Sequence, residues 1–208
     1  AERITVQPRG GGFGPTGLGA ASQLTTDDLD VVQKAQHVDV ATGRLIRPAA
    51  IAYNDRTRNA FLASWPEDQE ERDLLMTFGE PETELGRMLE ADDRGKIVIG
   101  SSVADEDRWG KTIEVGQRML IEDSQFEVIG ILEQRGTPNN DQAILMNEDD
   151  ARRVLELPEL YSIIVAKAQR PEDVPLAVES IAKDLRRSRD VEERKEDFTV
   201  ESSEAILE

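Results

Sequence analysis

Residues 95–141, GKIVIGSSVADEDRWGKTIEVGQRMLIEDSQFEVIGILEQRGTPNND, constrain this chain more than any other stretch. Gly100, Gly110, Gly116 and Gly130 punctuate it, and glycine is the residue that lets a backbone turn left-handed or approach another backbone closely. Between the glycines lie short runs at 97–99, 119–121 and 126–132, rich in β-branched residues, which read as strands. Asp123-Ser124 separates the last two runs and suits a tight hairpin turn. Residues 102–107 read as one turn of helix or a loop. The stretch is a small β unit, and it carries no catalytic nucleophile, base or metal cluster.

The flanks alternate α and β. Ile4 and Val6 mark a short strand at 3–7 that Pro8 ends. Leu24-Thr25-Thr26-Asp27-Asp28 is a helix start: Thr25 faces Asp28 in capping-box spacing, and Leu24 can staple onto Leu29. Leu29, Val32 and Ala35 or Gln36 then form a narrow buried stripe. Further strands are expected at 38–42, around Ile46 and 49–53, and at 61–64, before Trp65-Pro66. The charged run 66–73 reads first as a solvated loop, with a cation site as the lesser reading because carboxylates suit calcium. After the β unit, 142–146 reads as a strand. Asn147 reads as the cap of a helix with Glu148, Asp149 and Asp150 at its positive end. Ala151, Val154 and Leu155 are its buried side, and Pro158 is its stop. The apolar run 161–166 predicts a buried central strand. Pro171 opens the clearest helix: Val174, Ala177, Val178, Ile181, Ala182 and Leu185 share one face at period 3.6. Arg186, Arg187 and Arg189 sit at its negative end. A last strand is expected at 198–201.

Some of these residues stand in a recognisable order. Leu85-Gly86-Arg87-Met88-Leu89 leads to Asp92-Asp93. Ile97-Val98-Ile99-Gly100-Ser101-Ser102-Val103-Ala104 follows, then Ile113-Glu114-Val115-Gly116-Gln117. Phe126-Glu127-Val128-Ile129-Gly130-Ile131-Leu132, Gly136 and Asp141 complete the series, and residues 24–38 and Asp197-Phe198-Thr199-Val200 fit as its opening and close. In order and spacing the sequence resembles the extracytoplasmic (periplasmic core) domain of MacB-like ABC transporter permeases, a family that includes lipoprotein-releasing permeases. The resemblance implies an α+β fold of two lobes: a porter-like α/β base formed by both chain ends, 1–58 plus 138–208, and an inserted small β-rich lobe at 59–137. The alternating flanks agree with an α+β lobe whose sheet is covered by helices. The resemblance also implies that the domain lies between the first and second transmembrane helices of a permease, on the extracytoplasmic side of the cell membrane. Ala1 and Glu208 would be the ends nearest that membrane. It implies as partners a second permease copy and a cytoplasmic ATP-binding subunit or domain.

Composition narrows the partners. The net charge is −18, from 43 acidic and 25 basic residues, which excludes a nucleic-acid footprint and opposes docking on anionic lipid. Arginine far outnumbers lysine among the basic residues. So acidic a surface is either ordinary or adapted to concentrated salt, where self-repulsion is screened. Cysteine is absent, which removes disulfides, thiolate metal sites and cysteine catalysis. No apolar run approaches the roughly 20 residues of a membrane span.

Chemistry has few carriers. Gly12-Phe13-Gly14-Pro15-Thr16-Gly17 matches a dinucleotide fingerprint as a string, but Pro15, Gly17 and Gly19 oppose the helix that fingerprint needs, and no lysine follows to make a phosphate-binding loop. Asp105, Asp107 and Gly110 begin like a calcium loop, yet the twelfth position is Gly116, where a bidentate glutamate is required. His37 is the single histidine, which leaves no second imidazole for a metal pair and suits a surface or capping role. No G-x-S-x-G elbow occurs. Trp65 and Trp109 leave little for an aromatic sugar platform. Trp109 reads as packing within the β lobe, with a surface anchor as the lesser reading. No catalytic, cofactor-binding or metal residue is therefore expected, and no substrate-binding residue is named. The expected function is a non-catalytic extracytoplasmic permease domain, coupling ATP hydrolysis to movement or export of a peptide, lipid-linked or amphipathic substrate. The alternative is a stand-alone cell-surface or secreted ligand-binding module; a hydrolase is disfavoured by the lone His37.

Overall fold

The structure, a computed structural model, describes residues 2–10, 23–79, 82–157 and 159–203. The glycine motif Gly12–Gly17, Pro158, Ala1 and Glu208 lie outside them. Along the chain come β1 (Arg3–Pro8), β2 (Leu24–Thr25), α1 (Thr26–Lys34), β3 (Val38–Arg44), β4 (Ile46–Tyr53), β5 (Arg56–Trp65) and α2 (Gln69–Thr77). Then follow β6 (Thr83–Gly86), β7 (Lys96–Ile99), the one-turn helices α3 (Ser101–Ala104) and α4 (Glu106–Trp109), β8 (Arg118–Ile121), β9 (Ser124–Leu132) and α5 (Pro138–Asp141). The chain continues through β10 (Ala143–Asn147), α6 (Glu148–Leu155), β11 (Leu160–Tyr161), β12 (Ile163–Ala168), a 3-10 turn at Pro171–Asp173, α7 (Val174–Arg189) and β13 (Phe198–Ser202). The fold is α+β. It divides into two compact units: Ala1–Ile46, Gln69–Gly79 and Glu159–Glu208 form the first, and Arg47–Asp68 and Glu80–Pro158 the second.

The first unit is an antiparallel sheet ordered β13-β1-β12-β3. Alternation along β1 and β12 turns Ile4, Val6, Ile164 and Ala166 to one face, where they share a core with Leu29 and Val32 of α1 and Ala177, Ile181 and Leu185 of α7. Each of the valine, leucine and isoleucine side chains among them contributes roughly 1.5–3 kcal/mol when fully buried. The start of α1 is the capping box the sequence predicts: the Thr25 side chain accepts from Asp28 N, and Thr25 N donates to Asp28 Oδ2 at 2.8 Å. Leu24 and Leu29 are buried in that same core.

Two expectations for this unit change. The run 161–166 is not one strand. Tyr161 pairs with Leu24 in a separate two-stranded ribbon, and the strand restarts after Ser162, whose Oγ accepts from Ile46 N at 2.8 Å. The Tyr161 ring lies so close over Gly43 that a Cβ there would stand 2.5 Å from ring carbons. The charged run 66–73 is not loop throughout, because its second half begins α2. Leu74 and Leu75, which that helix buries, come after the charges and so were masked by them. Glu71 is tied down, accepting from Thr42 Oγ1 at 2.6 Å.

The second unit is a seven-stranded sheet ordered β6-β9-β7-β10-β5-β4-β8, and β8 also pairs with β9. Six strands thus close into a ring, β8-β9-β7-β10-β5-β4, which removes the free edges of an open sheet. β6 extends beyond it, on the half of β9 that β8 does not reach. Leu62, Ile97, Ile99, Ile121, Phe126, Val128, Ile144 and Met146 fill the ring, with Trp109 among them. The expected insertion at 59–137 is too short at both ends. β4, the whole of β5 and β10 are staves of the barrel, and α6 packs against β5 and β10. Only 69–79, carrying α2, leaves for the first unit.

Two local expectations shift here as well. The β8–β9 turn is Glu122-Asp123, one residue earlier than expected, since Ile121 pairs with Ser124. Both turn residues have positive φ, 45° and 62°, as a type I′ hairpin requires. Asn147 precedes α6 but does not cap it. Its Nδ2 donates instead to Glu90 O at 2.8 Å and Asp93 O at 2.7 Å.

Candidate functional site

Charge in this molecule is gathered around a few hubs. In the second unit Asp93 is buried, with 5 % of its side chain exposed. Its Oδ2 accepts from Arg87 Nη1 at 2.6 Å and Glu90 N at 2.9 Å, and its Oδ1 from Arg87 Nη2 and Lys96 Nζ, each at 2.9 Å. Arg87 beside it holds the Asp93 carboxyl far below the usual carboxylate range, and burial opposes that only in part. Segment 87–96 is pinned by these bonds as it enters β7. Asp141 clamps a second loop, accepting from Arg135 N at 2.9 Å and Gly136 N at 2.8 Å. Its own carbonyl passes over Gly100, where a Cβ would stand 2.3 Å from it. Gly130 is crowded in the same way, 2.4 Å from Arg87 O. The motif residues Arg87, Asp93, Gly100, Gly130 and Asp141 are thus fasteners of the barrel.

The first unit has its own hub. Arg189, at the end of α7, reaches Asp28 Oδ2 at 2.7 Å, and Asp197 Oδ1 and Oδ2 at 3.0 and 2.6 Å. One guanidinium thereby joins the first turn of α1, the last turn of α7 and the residue before β13. It was not legible as a hub from the sequence, where it is one of three arginines near a helix end.

The residues considered for chemistry fall as follows. His37 sits at φ 67° between α1 and β3, its Nδ1 3.9 Å from Asp173 Oδ2. Arg170, bidentate on Asp173 at 2.7 and 2.9 Å, holds that carboxyl below its ordinary value. Trp65 and Trp109 are both buried. Trp109 Nε1 donates to Val103 O at 2.6 Å and its ring meets Tyr53 edge-on at 6.1 Å, so it packs within the barrel and offers no surface anchor. Asp105 Oδ1 accepts from Asp107 N and caps α4. Among the described residues no group of three or more histidine, aspartate or glutamate side chains is placed to hold a metal ion. A groove of about 300 Å³ in the first unit runs between β13 and α7, lined by Arg9, Ala182, Glu196, Phe198, Val200 and Glu201 among others. Its lining pairs apolar side chains with Arg9 and Glu196, 3.9 Å apart.

Comparison with known proteins agrees with this picture. The family model described as the MacB-like periplasmic core domain matches residues 1–184. An uncharacterised ABC transporter permease of Methanocaldococcus jannaschii is 32% identical over 123 residues, which cover 59% of this chain and 30% of that protein. The chain therefore matches less than a third of that relative's length. Among solved structures, the periplasmic region of MacB from Actinobacillus actinomycetemcomitans superposes with TM-score 0.75 at 17% identity, over 99% of this chain and 90% of that one. The extracellular domain of the noncanonic ABC-type transporter YknZ from Gram-positive bacteria gives 0.73 at 14%, over 96% and 99%. These likenesses carry the fold. No helix among the described residues is long and apolar enough to cross a membrane.

Proposed function

From the premise that the chain belongs to the family of MacB-like periplasmic core domains, we propose that it is a non-catalytic coupling body on the extracytoplasmic side of the cell membrane. In this reading membrane helices of the same permease flank it, a second permease copy stands beside it, and a cytoplasmic ATP-binding subunit or domain drives the pair. ATP-driven helix movement would displace the domain and so move or export a peptide, lipid-linked or amphipathic substrate. The observation that carries the reading is the family match over 1–184. The barrel supports it physically: a closed ring of strands filled by aliphatic side chains resists deformation and passes displacement on instead of absorbing it. The acidic excess fits a surface exposed to concentrated salt.

Two experiments test this. The chain has no cysteine, so a Glu193→Cys variant of the full-length permease offers one thiol in this domain, at an exposed position. A membrane-impermeant maleimide should label it in intact cells; labelling only after permeabilisation would place the domain on the wrong side. Replacing the domain by a short linker should leave ATP hydrolysis by the assembled transporter measurable while export stops. Continued export would remove the coupling role.

A further inference from the structure

One end of the barrel gathers positive charge that no carboxylate among the described residues neutralises. Arg56 and Arg58 lie two apart on β5, on the side that buries Ala60 and Leu62 further along the strand, so both leave the barrel at its rim. The Arg56 guanidinium rests against Gly110, where a Cβ would meet Nη2 at 2.9 Å. From the facing helix α4, Arg108 donates to Asn59 O at 2.5 Å and places its Cζ 5.7 Å from the Trp109 ring centre. Its Nε is buried without a partner.

Other arginines of the unit contrast with these three. Arg87, Arg94, Arg135, Arg152 and Arg153 each have a carboxylate partner. Among the described residues Arg56, Arg58 and Arg108 have none, in a chain with 43 acidic and 25 basic residues. Arg118, exposed on β8, also lacks a carboxylate partner among the described residues, but it stands apart from these three in the chain. The nearest acids along the chain do not supply one: Asp105 is occupied in capping α4, and Asp55, Glu106 and Asp107 form no ion pair with the three. Burial and the repulsion of Arg58 both work against the charge on Arg108. Such an arrangement persists at a cost that an external anion would relieve.

We propose that Arg56, Arg58 and Arg108 form a binding site for a phosphoryl group at the rim of the barrel. Guanidinium groups present paired N–H donors that match the oxygens of a phosphate. Three of them, from a strand and a facing helix, offer more donors than the two oxygens of one carboxylate can take up. The net charge of −18 repels polyanions at long range, which favours a compact ligand held at contact distance. A soluble phosphate ester and a phospholipid headgroup share this chemistry. The site goes beyond the coupling role and does not depend on it.

The test is a nitrogen–proton NMR titration of this chain, read at the arginine Nε resonances and at the Asn59 and Gly110 amides. Inorganic phosphate is added against chloride at constant ionic strength. Saturable shifts confined to these residues are expected with phosphate alone, and an Arg56→Gln/Arg58→Gln double variant with an undisturbed amide spectrum should bind roughly tenfold more weakly or worse. Vesicles of phosphatidylglycerol in phosphatidylcholine supply the second arm. Co-sedimentation abolished by the double variant assigns the phosphoryl group to a headgroup, and saturation by inorganic phosphate without vesicle binding assigns it to a soluble ester. Equal, unsaturating shifts with phosphate and chloride would overturn the proposal. So would phosphate shifts that survive in the double variant, or saturation by tetraglutamate where phosphate has no effect.

Discussion

In the first unit the sheet stays open, with β13 and β3 at its edges, whereas in the second β8 pairs with both β4 and β9 and closes six strands into a ring. The open sheet completes its core with helices laid on one face, Leu29 and Val32 of α1 and Val174, Ala177, Ile181 and Leu185 of α7. The ring is filled mostly by its own strands. A helix on an open sheet can settle into a hole left by a trimmed side chain. A closed ring has no such freedom, because moving one stave breaks hydrogen bonds on both sides. The two units should therefore answer the same insult differently.

The largest effect tests that difference directly. Trp109→Ala removes the bulkiest side chain of the barrel core and should cost roughly 3–5 kcal/mol, while Ile181→Ala, equally buried but on α7, should fall near the lower end of about 2–5 kcal/mol. Val178, only partly buried on the same helix, should cost less than Ile181. Urea unfolding of the three variants checks the order, and a costlier Ile181→Ala would mean that α7 is the more rigid packing partner.

Next come the ion hubs. Asp93 holds its proton less tightly in the folded chain than in the unfolded one. Its contribution is therefore fully present above the ordinary aspartate pKa of about 3.9 and is lost as pH falls below that toward the folded value. Asp93→Asn should cost about 1–3 kcal/mol at neutral pH, tempered because Arg87 is half in water. The variant should also flatten the acid limb of stability against pH below about pH 4. Asp173 in the first unit is lowered in the same direction by Arg170, and Asp173→Asn should flatten that limb less. An unchanged limb in Asp93→Asn would show that Arg87 and Asp93 are not coupled in solution.

The two helix starts differ as well. Thr25 caps α1 and Asn147 does not cap α6. Thr25→Ala should cost about 0.5–2 kcal/mol. Asn147→Asp would be neutral at an ordinary cap, where the two residues rank alike. Here it sets a carboxylate against the Glu90 and Asp93 carbonyls and should cost about 1–3 kcal/mol. A neutral outcome in thermal unfolding would return Asn147 to the capping role that the sequence suggests.

What could be read in advance followed the range of the interaction. The capping box at Thr25 and Asp28, the apolar face of α7 and the alternation in β1 are local, and they stand as expected. The family pattern located Arg87, Asp93, Gly100 and Asp141 without revealing that they fasten loops to the barrel, because each acts on a residue or backbone group that only the fold brings near. Ring closure depends on the pairing of Ile51 with Ile121, strands far apart in sequence and with no local signature. α2 was hidden because hydrophobic residues define a helix face and here they follow the charges. The arginine cluster was hidden by the opposite bias: against so many acids, no counting of charge isolates Arg56, Arg58 and Arg108.

The smallest expected effect is a gain. Asp123 in the barrel hairpin and Asp190 at the end of α7 both have positive φ, 62° and 53°, a conformation that costs a side-chain-bearing residue roughly 1–2 kcal/mol. Glycine removes that strain but frees the unfolded chain, which returns about 0.5–1 kcal/mol. The balance favours Asp123→Gly and Asp190→Gly by roughly 0.5 kcal/mol each. Glu122 is left alone in this design because its Oε1 accepts from Ala50 N at 2.7 Å and ties the hairpin to β4. If the ring is as rigid as its closure implies, Asp123 cannot relax its φ, and its replacement should raise the melting temperature at least as much as that of Asp190, where a helix end can fray. A larger gain at Asp190 would place the stiffer backbone in the open unit and reverse the comparison.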